Sequence, residues 1–512
     1  MQITELTPAE RRVLEAFPRG AGVDFRASGD EDPRTGASWG PDRTVRAEVL
    51  RALLLEGPAE PGQIAGLKLK GARITGKLHL KYGTVEHPVQ LRACWFDRRP
   101  NLHGAQLRDL KLSDSVLPGL TAGALSVDGS LRINCCRFTG PVRLAGAQIA
   151  RSLFLNGARL GTTEPAGADP AASRPGAGQD DLGPDEYDDP GEPILQLNHA
   201  VVGSDIWAAG LVAHGGIRLN GASVEGLVNL EDAELSAPGA TALHAETLAV
   251  GTDVRAKRLR AEGRVNLSGA RIPRQLDLAY ARLATPDGQA LRATSCVIGE
   301  LWLREAVPVR GTVNLRRAQI DLLHVPPSVW PGTVRLDGLT YRVLAPHLPA
   351  AERLPLLERE AGGYVPFAYE QLTAAYRTVG DEAAARTVQL AKLRRRRRTL
   401  PRYARIWGHL QDATVGYGFR PMRAAGWLLA LLVTGALAFG LRPPAPLKAD
   451  EAPQFNAVFY TLDLLLPIIG FGQESAFAPR GGYQWLSYVL IVTGWVLATT
   501  TAAGVSRSLR RQ

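Results

Sequence analysis

The chain has 512 residues, 45% hydrophobic, with 60 Lys and Arg against 50 Asp and Glu and a formal net charge of +10. That length allows several domains and a sizeable core, and the composition excludes a fully disordered or collagenous chain. The basic balance favours anionic partners, either phosphates or acidic lipid.

The N-terminal stretch "MQITELTPAERRVLEAF" is charged and amphipathic, so no secretory signal is read there, and the large N-terminal part is expected in the cytoplasm. Residues 1–60 hold two helical patterns, "TPAERRVLEAF" and "DRTVRAEVLRALLL". The first opens on Thr-Pro with Glu following, as helix starts prefer. Together they are expected to cap the region beyond residue 60.

From Leu67 to Tyr341 an eleven-residue period dominates. Aligning "LRINCCRFTGP", "VRLAGAQIARS" and "LFLNGARL" puts apolar residues at offsets 0, 2, 5 and 7. Leu131, Val142 and Leu153 share one column, and Ile133, Leu144 and Leu155 the next. These offsets miss the spacing of a helix face, whereas each LxL pair has the period of two of a strand. One unit cannot bury its own apolar edge, so stacked coils must make the core. Two units per coil and ~4.8 Å per coil give roughly ten coils and a rod about 50 Å long. The fold class is therefore mainly β, a right-handed parallel β-solenoid over 61–342 with an 11/22-residue period, between an N-terminal helical cap and a C-terminal helical hairpin, with two transmembrane helices beyond.

The small residue two places before a large aliphatic, as in "ARI", "AQI" and "AEL", resembles a relaxed pentapeptide repeat, with spacings of five and six in alternation. A leucine-rich repeat has one LxL per period and a recurring Asn, and fits less well. Cys94, Cys136 and Cys296 fall in the small column and read as core residues; with Cys135 they show neither CxxC nor Cys/His ligand spacing. Arg73, Arg137, Arg159, Arg260, Arg271 and Arg282 fall between inward positions, as a solvated face or a ladder for an acidic partner. Such arginines disfavour DNA mimicry, and no nucleic-acid partner is expected.

The period breaks at 161–193 in a Gly, Pro and acid-rich segment that reads as a disordered loop. Its carboxylates lack the spacing of a calcium loop. Over 343–412 the pattern turns helical, and "PFAYEQLTAAYRTVGDEAAARTVQLAKLRRRRR" reads as a hairpin resembling one tetratricopeptide unit. Lys392, Arg394, Arg395, Arg396, Arg397, Arg398, Arg402 and Arg405 form a basic cluster just before an apolar run, where anionic lipid is the expected partner.

Over 413–512 two uncharged runs, Ala424 to Leu441 and Gly482 to Ser506, read as transmembrane helices. The arginines flanking them place both termini in the cytoplasm and the chain in the cell membrane as a two-span protein. Between them Phe455 to Leu466 has the length of a re-entrant segment, followed by "PIIGFGQ". Helix, re-entrant helix, GFG and helix resemble the pore module of two-helix potassium channels. That resemblance makes Ile468, Ile469, Gly470, Phe471, Gly472 and Gln473 filter candidates, with a monovalent cation as the ligand and a homotetramer as the assembly. Ile468 and Gln473 stand where that family carries Thr and Asp. Asp463, the one ionisable residue in the apolar segment, is a further candidate.

The whole arrangement resembles a group of actinobacterial membrane proteins, some of them called membrane-associated oxidoreductases. No cofactor is expected, since no dinucleotide fingerprint, nucleophile elbow or metal triad is found. Three function classes stand side by side: a channel-like protein with a regulatory rod, a non-conducting interaction scaffold, and an enzyme built on the rod surface.

Overall fold

A computed structural model of the chain describes residues 5–29, 31–57, 60–162, 192–399, 401, 421–448, 453–466 and 470–509. It divides into two compact units, Met1–Gln371 and Leu372–Gln512.

In the first unit the eleven-residue period becomes a parallel β-solenoid of about 11 turns. One half-coil shows how. Leu131 and Ile133 point in on either side of Arg132; the chain turns at Cys135, Cys136 is buried, and Arg137–Phe138 forms the next short strand. The turn requires a positive φ at offset 4. Gly157 and Gly210 supply it without strain, but Cys135 (φ 54), Asp232 (φ 56) and Arg258 (φ 56) adopt it with side chains, at about 1 kcal/mol each. Successive coils pair in register, Leu110 with Leu131, then Leu153, then Ile206. The result is two parallel sheets of 20 and 16 strands.

The core is a stack of Leu, Ile, Val and Ala. Cys94, Cys136 and Cys296 lie buried within it as free thiols, and burial pushes Cys94 and Cys296 up to about 12, which leaves no reactive thiolate. Cys135 is also free but exposed. Asn134 and Asn156 share one turn and Asn220 stands at another, and each Oδ1 accepts a backbone N–H from the next coil. In later coils extra residues are absorbed as bulges at two corners, between Ser236 and Thr241 and between Ala284 and Gln289 on one sheet and between Ile272 and Gln275 on the other. The inward register survives because the bulge leaves both flanking strands paired.

Both ends of the solenoid are closed. At the start, Gly22–Asp24 pairs with Leu67–Lys70 and Thr44–Arg46 with Arg73–Thr75, so the cap covers an edge of each sheet. Thr7 and Glu10 form the reciprocal capping box of helix Pro8–Ala16. Glu10 is fully buried and also binds Arg46 at 2.8 Å. Burial alone would raise its pKa, but hydrogen bonds from Arg46 and the backbone hold it at about 2 against a model-compound value of 4.5. A depressed carboxylate stabilises the fold above its unfolded pKa, and that contribution is lost as pH falls through the folded one. The melting temperature of the wild type should therefore fall between about pH 4.5 and 2 more steeply than that of Glu10→Gln, which should start lower and lack that component; parallel curves would contradict the linkage.

At the far end, helix Ala350–Glu358 places Arg353, nearly buried, to donate to the carbonyls of Val325 and Pro346. Arg359 donates to Trp330 and Pro331, and Glu360 accepts from the Leu336 N–H. Side chains thus take the hydrogen bonds that a further coil would have made.

Helices Pro366–Thr378 and Glu382–Thr399 follow in the chain. In the second unit, helices Pro421–Leu441, Ala457–Leu465 and Gly482–Leu509 pack around Phe439, Tyr460, Leu464, Leu465, Phe477 and Leu490. Gly435 and Gly494 permit the approach, since a Cβ on either would collide with Thr461 or with the Leu465 carbonyl. Trp427, Leu437, Val492 and Trp495 remain on the exposed side of the outer helices.

The expectation of two transmembrane helices is corrected here. Among the described residues no helix is long and apolar enough to cross a membrane. The second of the two opens on Tyr483, Gln484, Trp485 and Ser487, which dilute its apolar character. The placement as a two-span cell-membrane protein with both termini cytoplasmic falls with those spans. The expected acidic loop lies, apart from its ends, outside the described residues.

Candidate binding face of the solenoid

Each coil has four sides, and the residue between two inward positions repeats along each side as an outward row with the inter-strand spacing of about 4.8 Å; the first side runs through Lys68, Lys111 and Arg132 and the fourth through Gln106, Ser126 and Gln148. On the second side the row runs Arg73, Trp95, Val116, Arg137, Arg159, Val212, Glu234, Arg260 and Arg282. Five of the six arginines singled out from the sequence therefore share one row, while Arg271 sits on the other sheet between Ala249 and Val297. Trp95, Val116 and Val212 interrupt that row. Arg73 pairs with Asp97 at 3.0 Å and Arg260 with Glu234 at 2.7 Å. Burial, followed by the neighbouring Arg159, pushes Arg137 below the usual guanidinium value.

The third side is different, and sequence inspection passed over it. Its row is Thr121, Arg143, Gln196, Arg218, His244, Asn266, Arg292, Asn314 and Arg335. All are polar, and none of the described ones is acidic. The signal was present as the middle residue of the LxL pair in every second unit, but the period was read in elevens, which merges this side with the first.

Two carboxylates lie against the row: Glu246, which accepts from Asn266 Nδ2 at 2.6 Å, and Glu192. Glu192 receives Arg143 Nε at 2.6 Å and Arg143 Nη2 at 2.7 Å, with the Gln196 amide donating to the same carboxylate. This is a two-pronged guanidinium–carboxylate contact completed by an amide one coil on. Farther along, Arg218, Arg292 and Arg335, and Arg264 beside the row two residues before Asn266, have no carboxylate partner among the described residues. The Nε atoms of Arg264 and Arg292 are buried without a hydrogen-bond partner. Burial, then Arg218 and Arg264, push the His244 imidazole below its usual value, with Glu246 pulling the other way. His244 is thus kept neutral on a face already rich in cations.

The other sequence candidates are dispersed. Of the GFG region, Ile468 and Ile469 lie outside the described residues. Asp463 is buried and accepts the backbone N–H groups of Phe471, of Gln473 at 2.7 Å and of Glu474 at 3.1 Å. Gln473 is buried too, accepting from Asn456 N–H and donating to the Gln454 carbonyl. Gly472 has φ +80, whereas Gly470 has open space where a Cβ would stand. Lys392 and Arg394 to Arg398 lie on helix Glu382–Thr399, where five successive arginines wind around the axis at about 100° each instead of forming a stripe. Arg402 and Arg405 lie outside the described residues.

A shallow cavity of about 390 Å³ on the fourth side is lined by Val297, Ile298, Gln319, Ile320 and Tyr341, and gathers none of these groups. Among the described residues there is no group of three or more His, Cys, Asp or Glu placed to hold a metal ion. No protein-family model, curated protein or solved structure matches the chain.

Proposed function

We propose that the chain is an interaction scaffold whose solenoid docks a protein partner along its third side. The observation behind this reading is the polar row from Thr121 to Arg335, in register over successive coils and carrying arginines without carboxylate partners. A rod of stacked coils offers one repeating set of side chains along a line, which suits a partner lying lengthwise. The second side suits it less, because its arginines are internally paired or separated by Trp95, Val116 and Val212.

A photo-crosslinking amino acid placed in living cells at Thr121, Gln196 or Arg335 on the third side, and at Gln106, Gln148 or Gln319 on the fourth, tests the reading. Adducts to one protein from the third-side positions alone are expected. Adducts spread evenly over both sides, or none, would refute the scaffold.

A further inference from the structure

Resting on that reading, we infer that the third side recognises an extended polypeptide rich in carboxylates, seated one carboxylate per arginine. Arg143 and Gln196 already hold the Glu192 carboxylate in this manner, so the row contains its own example of the contact. Arg292 likewise has an amide one coil away on either side, Asn266 and Asn314, whose Nδ2 groups donate to Glu246 and to Gln289.

At Arg292 and Arg264 the Nε–H is buried and without an acceptor. A buried donor left in that state costs free energy that an incoming oxygen recovers. Spacing selects the ligand. Arg292 and Arg335 are two coils apart, which is about 9.6 Å along the rod; Arg143, already held by Glu192, stands at the same interval from Arg218. In an extended peptide, carboxylates three residues apart stand about 10 Å from one another. The planar fork of arginine matches a carboxylate in two-pronged contact better than a point cation does.

The experiment uses the full chain and fluorescence anisotropy with three labelled probes of equal length: a Gly/Ser peptide with Glu at every third residue, its Gln counterpart, and single-stranded DNA. Two variants are compared, one with Arg218, Arg264, Arg292 and Arg335 changed to Gln, the other with Lys68, Lys111 and Arg132 of the first side changed to Gln. The Glu peptide should bind in a salt-sensitive way, the Gln peptide should not, and the third-side variant alone should weaken binding by about tenfold or more. DNA binding as tightly as the Glu peptide, with the same loss, would overturn the assignment to carboxylates. So would equal loss in the first-side variant, or no Glu-peptide binding at all. Adducts confined to the third side in cells, with no Glu-peptide binding, would retain the scaffold and remove only this inference.

Discussion

Leu267→Asp should unfold the solenoid cooperatively, lowering its stability by about 5 kcal/mol or more. Leu267 is 3% exposed and follows Val265, which pairs in register with Leu243 before it and Leu291 after it. Two residues beyond those partners stand Ala245 and Ala293, both buried, so Leu267 fills much of its layer by itself. Removing it leaves a cavity that alanines cannot fill, and a carboxylate there has no cation to meet. Leu267→Ala should cost about half as much, since it creates the cavity without burying a charge. Gln148→Asp, on an outward position of the fourth side, should fall within about 0.5 kcal/mol of wild type. Thermal unfolding of the full chain followed by the β signal separates the three. Equal melting of Leu267→Asp and Gln148→Asp would contradict the inward column.

That column was legible in the sequence because burial imposes a period, and a period survives without any knowledge of partners. The αL residue at offset 4 was less visible. Glycine fills it at Gly157 and Gly210, but Cys135, Asp232 and Arg258 break the pattern, since the strain of one residue is small beside the stacking of a coil. The binding row was missed for another reason. Outward residues carry no hydrophobic period, and Arg143, Gln196, Arg218 and His244 look unrelated until register lines them up. Five of the six arginines that did attract notice share a row, where Arg73 and Arg260 already have carboxylate partners. The membrane reading failed at helices that hydropathy alone had chosen, since among the described residues no helix is long and apolar enough to cross a membrane. Charge counts give a sum for the chain, and only the fold tells which charges already have partners.

The GFG region supplies the second large effect. Asp463→Ala should destabilise the second unit by about 3–5 kcal/mol, because the buried carboxylate is the acceptor for three backbone N–H groups, those of Phe471, Gln473 and Glu474. Asp463→Asn should be nearly as damaging, since the side-chain amide offers one acceptor oxygen and turns N–H groups toward N–H groups. Gly472→Val is expected to cost about 1–2 kcal/mol through its φ of +80, while Gly470→Ala has room for its Cβ and should be close to neutral. Hydrogen exchange at Phe471, Gln473 and Glu474, read beside the melting temperature, distinguishes a pinned loop from one held by packing alone. Faster exchange at these three amides in Asp463→Asn, with slower change elsewhere in the unit, is the expected result. Unchanged exchange there would mean that the contacts of Gln473 with Asn456 and Gln454 hold the loop, and that Asp463 does not.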